Sequence, residues 1–421
     1  MYDQIVKPQT LVLDSAPCND GQDTFPHLPI TYEEYGTPKT KDGHDKPVVA
    51  ILPFFLGSAH AAGHKAVKDN KRVAIGYWDA LIGPNAVINT DTYRVISFEP
   101  LINDSFHPGL INATTKKPYG GSFPNFTLGD VSQIQRLALK QLGVGHVDVL
   151  MGASMGSLQA WHFMAHEPSY VSKMVLVVPG GMTLPQKTRV LTRQWVQKLE
   201  QDPDWHGGDY ASLPKEKQPK KALVEVLSDF WYRVQFPVDH SQLYDLNDIE
   251  LADMALAHHA LDANDVKTID TVLASLNATD PKVKLYKQSL TGLCAKTDHN
   301  VLLWQLRSVL TYKPQTVLQK SEPFIRHMEG VDDMTDVAHE MLAMTRILMI
   351  ATPADDLLDI SSVDAVMGMA ASIGLDARVV RMPSTYTHAA GLNTAAGDSV
   401  ATFKQAIGQF VNPEAKPQAK L

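Results

Sequence analysis

Val147-Asp-Val-Leu-Met-Gly-Ala-Ser-Met-Gly-Ser-Leu-Gln-Ala-Trp161 decides the fold. Its first five residues, Val147–Met151, are apolar and β-branched enough to predict a strand buried on both faces. They run straight into Gly152-Ala153-Ser154-Met155-Gly156, and a helical stretch follows. A strand-to-helix turn that sharp is strained. Glycine on either side lets neighbouring backbone pass close, so the serine Oγ is held up at the end of the strand. Ser154 is therefore a candidate nucleophile. The N–H of Met155, at the helix start, is a candidate donor to an oxyanion.

The surrounding chain supplies the sheet that such a turn needs. Val48–Leu52, Tyr93–Phe98 and Met174–Val178 are further short apolar runs, and Leu128–Leu142 is a helical stretch closed by Gly143. Strand and helix alternating in this way predict βαβ units and a mostly parallel sheet. From about 182 to 345 the pattern changes to helical spacing, as in Thr192–Gln201, Pro219–Trp231, Ile249–Leu261 and Asn300–Leu310. Strand signals resume at Ile347–Ala351 and Ala377–Arg381, with a last helix near Ser399–Phe410. The expected organisation is an α/β core over 1–181 and 346–421, interrupted by a helical cap over 182–345.

A serine hydroxyl attacks only when a base removes its proton, so a histidine and a carboxylate must follow Ser154. The order serine, acid, histidine places each in a loop beyond a later strand. Thr352-Pro-Ala-Asp-Asp356 follows the strand at Ile347–Ala351, and Met382-Pro-Ser-Thr-Tyr-Thr-His388 follows the strand at Ala377–Arg381. Asp355 and Asp356 compete for the acid role; Asp355 is preferred, with Asp356 nearer a solvated helix start. His388 is the candidate base. A second oxyanion donor is expected from Pro53-Phe-Phe-Leu-Gly-Ser-Ala-His60, with Phe55 first and Leu56 behind it. Phe54 and Phe55 are either core or the wall of an acyl pocket.

Composition excludes other classes. The 421 residues carry 38 basic and 46 acidic side chains, a net charge of −8 with no basic stripe, which disfavours nucleic acid and anionic membranes. No apolar run reaches the ~20 residues that span a bilayer. Cys18 and Cys294 are too few for a disulfide scaffold or a cysteine metal site. His162 and His166 stand four apart on one helix, and His258-His259 are adjacent, but neither pair has a third ligand suggested; no metal is expected. No phosphate-loop or dinucleotide fingerprint occurs, so no cofactor is expected. Met1–Thr10 has no signal-peptide pattern, and the expected location is cytoplasmic.

Beyond the serine turn, Tyr32-Glu-Glu-Tyr-Gly36, Gly76-Tyr-Trp-Asp-Ala-Leu-Ile-Gly-Pro84, Ile88-Asn-Thr-Asp-Thr-Tyr93 and Asp202-Pro-Asp-Trp-His-Gly-Gly-Asp-Tyr210 lie in order along the chain. On these stretches the sequence resembles the homoserine O-acetyltransferase family of the α/β-hydrolase superfamily. The resemblance implies an α/β-hydrolase fold, the triad Ser154, Asp355 and His388, a helical cap over a tunnel, and a homodimer paired through cap helices carrying Trp231, Tyr232 and Phe236. Its departures bear on substrate. His388 is followed by Ala389-Ala390-Gly391 where the family has an Asp for the amino group of homoserine. Val196 stands where the family has an Arg, with Arg193 one turn away, and Ser157 replaces a glycine. With Phe54, Phe55, Leu56 and Ala389 at the site's edge, the expectation is a serine carboxylesterase for short-chain or small neutral esters. The alternative is an O-acetyltransferase that takes its acetyl group from acetyl-CoA.

Overall fold

The computed structural model describes residues 2–68, 71–112, 114–235, 281–316, 345–383, 387–392 and 399–412. β1 (Gln9–Cys18) and β2 (Asp23–Tyr35) form a long antiparallel hairpin, followed by β3 (Val48–Leu52). β4 (His64–Lys68) with β5 (Lys71–Ile75), and β6 (Ile82–Gly83) with β7 (Ile88–Asn89), make two small separate sheets before β8 (Arg94–Phe98). Then come α1 (Leu128–Gln141), β9 (Val149–Ala153), α2 (Met155–His166) and β10 (Lys173–Val177). Among the described residues, the helices α3 (Gln186–Glu200), α4 (Lys221–Gln235), α5 (Pro281–Lys296) and α6 (His299–Leu310) intervene before the sheet resumes. β11 (Arg346–Ala351), α7 (Ile360–Ile373), β12 (Ala377–Arg381), the short α8 (Ala389–Leu392) and α9 (Ser399–Val411) complete the core.

The main sheet has the order β1-β2-β8-β3-β9-β10-β11-β12. From β8 to β12 all pairings are parallel; the hairpin is added antiparallel at one edge. Alternate residues of the central strands feed two cores. Val48, Ala50, Leu150, Leu176 and Met349 pack on one face with Trp161 and Phe163 of α2. Val49, Ile51, Met151, Val175 and Ile350 pack on the other with Phe403, Ile407 and Phe410 of α9. Burial on both faces is why these strands read as unbroken apolar runs.

The predicted strands and helices lie within a few residues of those observed. β9 sits two residues later than predicted, at Val149–Ala153, so the strand ends on the residue before Ser154. The β1–β2 hairpin has no counterpart among the predicted strands. Its edge position leaves one face wet, and Pro26 and Pro29 interrupt the second strand, so the buried-strand signal is absent. The helix expected at Ile249–Leu261, together with Phe236 and His258-His259, lies outside the described residues.

Candidate active site

Ser154 sits between β9 and α2 with φ 52° and ψ −121°, a backbone conformation that L-residues adopt only under constraint. The flanking glycines supply that constraint. A Cβ at Gly152 would lie 2.3 Å from the Gly156 carbonyl oxygen, and one at Gly156 would lie 2.5 Å from that of Leu52. The Ser154 N–H donates to the Val177 carbonyl (3.0 Å), which fastens the turn to β10. Ser157 adds a further tie: its Oγ donates to the Ser154 carbonyl (2.6 Å) and accepts the Gly180 N–H (3.1 Å).

Ser154, His388 and Asp355 meet in one buried chain of hydrogen bonds. His388 Nε2 lies 2.8 Å from Ser154 Oγ, and His388 Nδ1 lies 2.7 Å from Asp355 Oδ2. With the serine hydroxyl donating to Nε2, the ring proton belongs on Nδ1, where the carboxylate accepts it. Asp355 Oδ1 accepts the N–H groups of Leu357 (2.8 Å) and Leu358 (2.9 Å), so the turn after β11 aims the other oxygen at the imidazole. The residues come from loops after β9, β11 and β12, far apart in sequence and on the same half of the sheet.

Asp356 is not at a solvated helix start. Its side chain is 1% exposed, paired through Oδ1 with Lys187 of α3 and through Oδ2 with Arg233 of α4 (2.7 Å). The helix that follows is capped instead by Asp359, which accepts the Ser361 N–H at 2.6 Å. Both carboxylates of the pair are thus spent: one on the histidine, one on the helical segment.

The N–H of Met155 at the start of α2 and the N–H of Phe55 in the loop after β3 have no protein acceptor among the described residues. The N–H of Leu56, the second choice, donates to Gln305 Oε1 (3.0 Å) and is already used.

A cleft of about 430 Å³ opens above Ser154. Phe55, Met155, Leu158, Leu184, Trp195, Phe230, Leu306, Val309, Leu357 and Leu358 line it, with Thr188 and Thr192 as the other polar residues. Both threonine hydroxyls are committed to backbone: Thr188 to the Leu357 carbonyl, Thr192 to the Thr188 carbonyl at 2.7 Å. Trp195 turns its N–H to Asp229 (2.8 Å). Apart from Ser154, the side chains that line it among the described residues are apolar or have their hydroxyl protons committed to backbone.

Three of the sequence-predicted substrate residues lie elsewhere. The Phe54 ring packs edge-on against Tyr77 at 5.0 Å, whereas the Phe55 ring meets Phe230 of α4 at 5.0 Å. Leu56 faces Gln305, and Ala389 is buried at the start of α8; none of Phe54, Leu56 and Ala389 is in the cleft wall. Val196 is buried, and Arg193 is exposed on α3, so it does not reach the serine. Sequence reasoning missed the cleft residues of α3 and α6. Thr188, Thr192 and Trp195 recur at helical spacing, but nothing local says which side of an inserted helix faces the sheet.

His162 and His166 each turn Nε2 to backbone. His162 Nε2 accepts the Lys313 N–H (3.2 Å) and His166 Nε2 meets the Gly129 carbonyl (2.9 Å). Among the described residues no cluster suited to a metal occurs, and no helix is long and apolar enough to cross a membrane. Cys18 and Cys294 are both buried and are not joined to each other in a disulfide.

Comparison with known proteins agrees with this architecture. A family model described as the alpha/beta hydrolase fold matches residues 103–218. The chain is 23% identical to esterase E22, with a TM-score of 0.72 over 97% of this chain and 100% of that one. It has the same identity to homoserine O-acetyltransferase from Bacillus anthracis, with a TM-score of 0.71 over 97% and 98%. The chain has the α/β-hydrolase fold. Its sequence is similar to the homoserine O-acetyltransferase family: it is 35% identical over 197 residues to homoserine O-acetyltransferase of Methanosphaerula palustris. That match spans 46% of this chain and only 38% of the curated relative.

Proposed function

We propose that this protein is a serine carboxylesterase acting on short-chain or small neutral esters. In this reading Ser154 Oγ attacks the ester carbonyl while its proton passes to His388 Nε2. The tetrahedral oxyanion takes hydrogen bonds from the N–H groups of Met155 and Phe55. His388 then gives the proton to the leaving alcohol, and the acyl group stays on Ser154. Water, deprotonated by the same nitrogen, attacks the acyl-enzyme and releases the acid. Asp355 holds the imidazole tautomer throughout. The reaction needs no cofactor.

The observation that carries the substrate class is the largely apolar wall above Ser154. Homoserine carries an ammonium and a carboxylate, and burying either without a partner costs several kcal/mol. Among the described residues the cleft presents no charged side chain, and its two threonines have their hydroxyl protons committed to backbone. A neutral acyl chain loses no partners on entering it.

A second reading is kept because the curated relatives are named for it. An O-acetyltransferase would load Ser154 from the thioester of acetyl-CoA and give the acetyl group to an alcohol in place of water. One pair of assays separates the two: p-nitrophenyl acetate or butyrate in water, and acetyl-CoA with homoserine. Ester turnover with no acetyl-homoserine is the expected result. Rapid acetyl-homoserine formation beside negligible ester hydrolysis would replace the esterase reading with the transferase one.

This reading also includes a cytoplasmic location and a homodimer through the helices between β10 and β11. Trp231 is half-buried and donates to Ser289 of α5 (2.7 Å), so it serves the roof as well as any partner. Sedimentation equilibrium at micromolar protein is expected to give twice the chain mass; a 46.3 kDa species alone would rule the dimer out.

A further inference from the structure

We propose that Gln305, on α6 of the inserted segment, is the residue that aims the Phe55 N–H at the oxyanion; the proposal rests on the acyl-enzyme reading above. Gln305 is 4% exposed and uses both ends of its amide. Its Oε1 accepts the Leu56 N–H (3.0 Å) and its Nε2 donates to the Ile102 carbonyl (2.8 Å). One side chain therefore staples the loop after β3 to the loop after β8, from a helix 249 residues away in sequence.

The loop needs that staple. Leu56 has φ +55°, in the left-handed region where a branched L-residue sits only if its surroundings hold it. At its start, the loop is held from the core: the Pro53 carbonyl accepts Gln159 Nε2 (2.9 Å), and Gln159 Oε1 in turn accepts Gln135 Nε2 (2.6 Å). Further on, the Ala59 N–H donates to Glu99 Oε2 (2.6 Å). Between these anchors, the bond from Leu56 to Gln305 fixes the strained peptide. The Phe55 N–H belongs to the peptide immediately before it, so its direction follows from that fixing.

Gln305 itself is not in the cleft wall, although Leu306 and Val309 of the same helix are. It is a positioning residue. The helix that walls the acyl group also sets the donor for the charge that develops on it, so the oxyanion site is complete only with the inserted segment seated.

Gln305→Met keeps the size of the side chain and removes both hydrogen bonds. Loss of an oxyanion donor costs about 100- to 1000-fold in kcat, and misaiming one should cost about 10- to 100-fold, with KM for p-nitrophenyl butyrate nearly unchanged. The discriminating readout is a phenylboronic acid, whose tetrahedral adduct on Ser154 presents an oxygen to the same donors. Its inhibition constant should rise by the same factor as kcat falls. Gln305→Asn keeps the amide one methylene short; if the Met variant does not fold, it carries the test, with a smaller parallel loss in kcat and boronic-acid affinity. A folded Met or Asn variant with wild-type kcat and boronic-acid affinity would overturn the role of Gln305. So would a fall in kcat that leaves boronic-acid affinity untouched. A wild-type protein that turns over neither ester nor thioester and takes no fluorophosphonate on Ser154 would overturn the acyl-enzyme reading, and this proposal with it.

Discussion

Asp355 divides its carboxylate between two tasks, and that division predicts what its amide would do. Oδ1 accepts two backbone N–H groups and Oδ2 accepts the histidine. In Asp355→Asn the oxygen stays with Leu357 and Leu358, because a backbone N–H needs an acceptor. The new NH₂ then faces His388 Nδ1 as a donor, which moves the ring proton to Nε2, where Ser154 needs a base. The expected loss in kcat is about 10⁴-fold, as for a triad aspartate elsewhere; Ser154→Ala should lose about 10⁶-fold. Asp356→Asn leaves this chain of bonds intact and should keep kcat within roughly tenfold. Steady-state kinetics on the three variants checks the assignment, and a crippled Asp356 variant beside an active Asp355 variant would reverse it.

At the scale of elements, Asp356 joins the loop after β11 to α3 and α4 through Lys187 and Arg233. Lys187 is 51% exposed and Arg233 is 21% exposed, so both cations can return to water when the carboxylate is removed. Asp356→Asn should therefore cost about 1–3 kcal/mol, the range for one broken charge-assisted contact, and not the larger sum of two buried pairs. A urea midpoint shift read by tryptophan fluorescence measures it. Helix α2 brings a different liability. Burial pushes the His162 imidazole down to about 3 and that of His166 to about 4. Both are neutral when folded and titrate near 6.5 when unfolded. Their contribution is fully present above pH 6.5 and is lost as pH falls toward their folded values, because the unfolded chain binds protons first. His162→Gln keeps an acceptor for Lys313 and does not titrate. It should flatten the loss of stability between pH 7 and pH 4 by on the order of 3 kcal/mol. Equal acid slopes in wild type and variant would show that the ring is not held neutral.

Across the whole molecule, legibility followed how local each signal is. The central strands and Ser154 were readable because burial on both faces and a glycine-flanked turn are written in consecutive residues. Asp355 and His388 were reachable through the order of strands. The hairpin β1–β2 was not, since an edge with one wet face and two prolines has no continuous apolar run. The substrate wall was missed for a different reason: Thr188, Trp195 and Leu306 gain meaning only when α3 and α6 are laid over the sheet. That layering has a kinetic consequence. β10 pairs with β11 although α3, α4, α5 and α6 lie in the chain between Val177 and Arg346, and His388 follows later still. Contacts of such high sequence separation form slowly, after local hairpins and helices. On dilution from denaturant, far-UV ellipticity should recover well before catalytic turnover, and simultaneous recovery would argue against a late joining of the two core halves. During synthesis the serine emerges from the ribosome more than two hundred residues ahead of its base, so a nascent or truncated chain carries an inert hydroxyl. Catalytic competence thus reports that the polypeptide has been finished and closed upon itself.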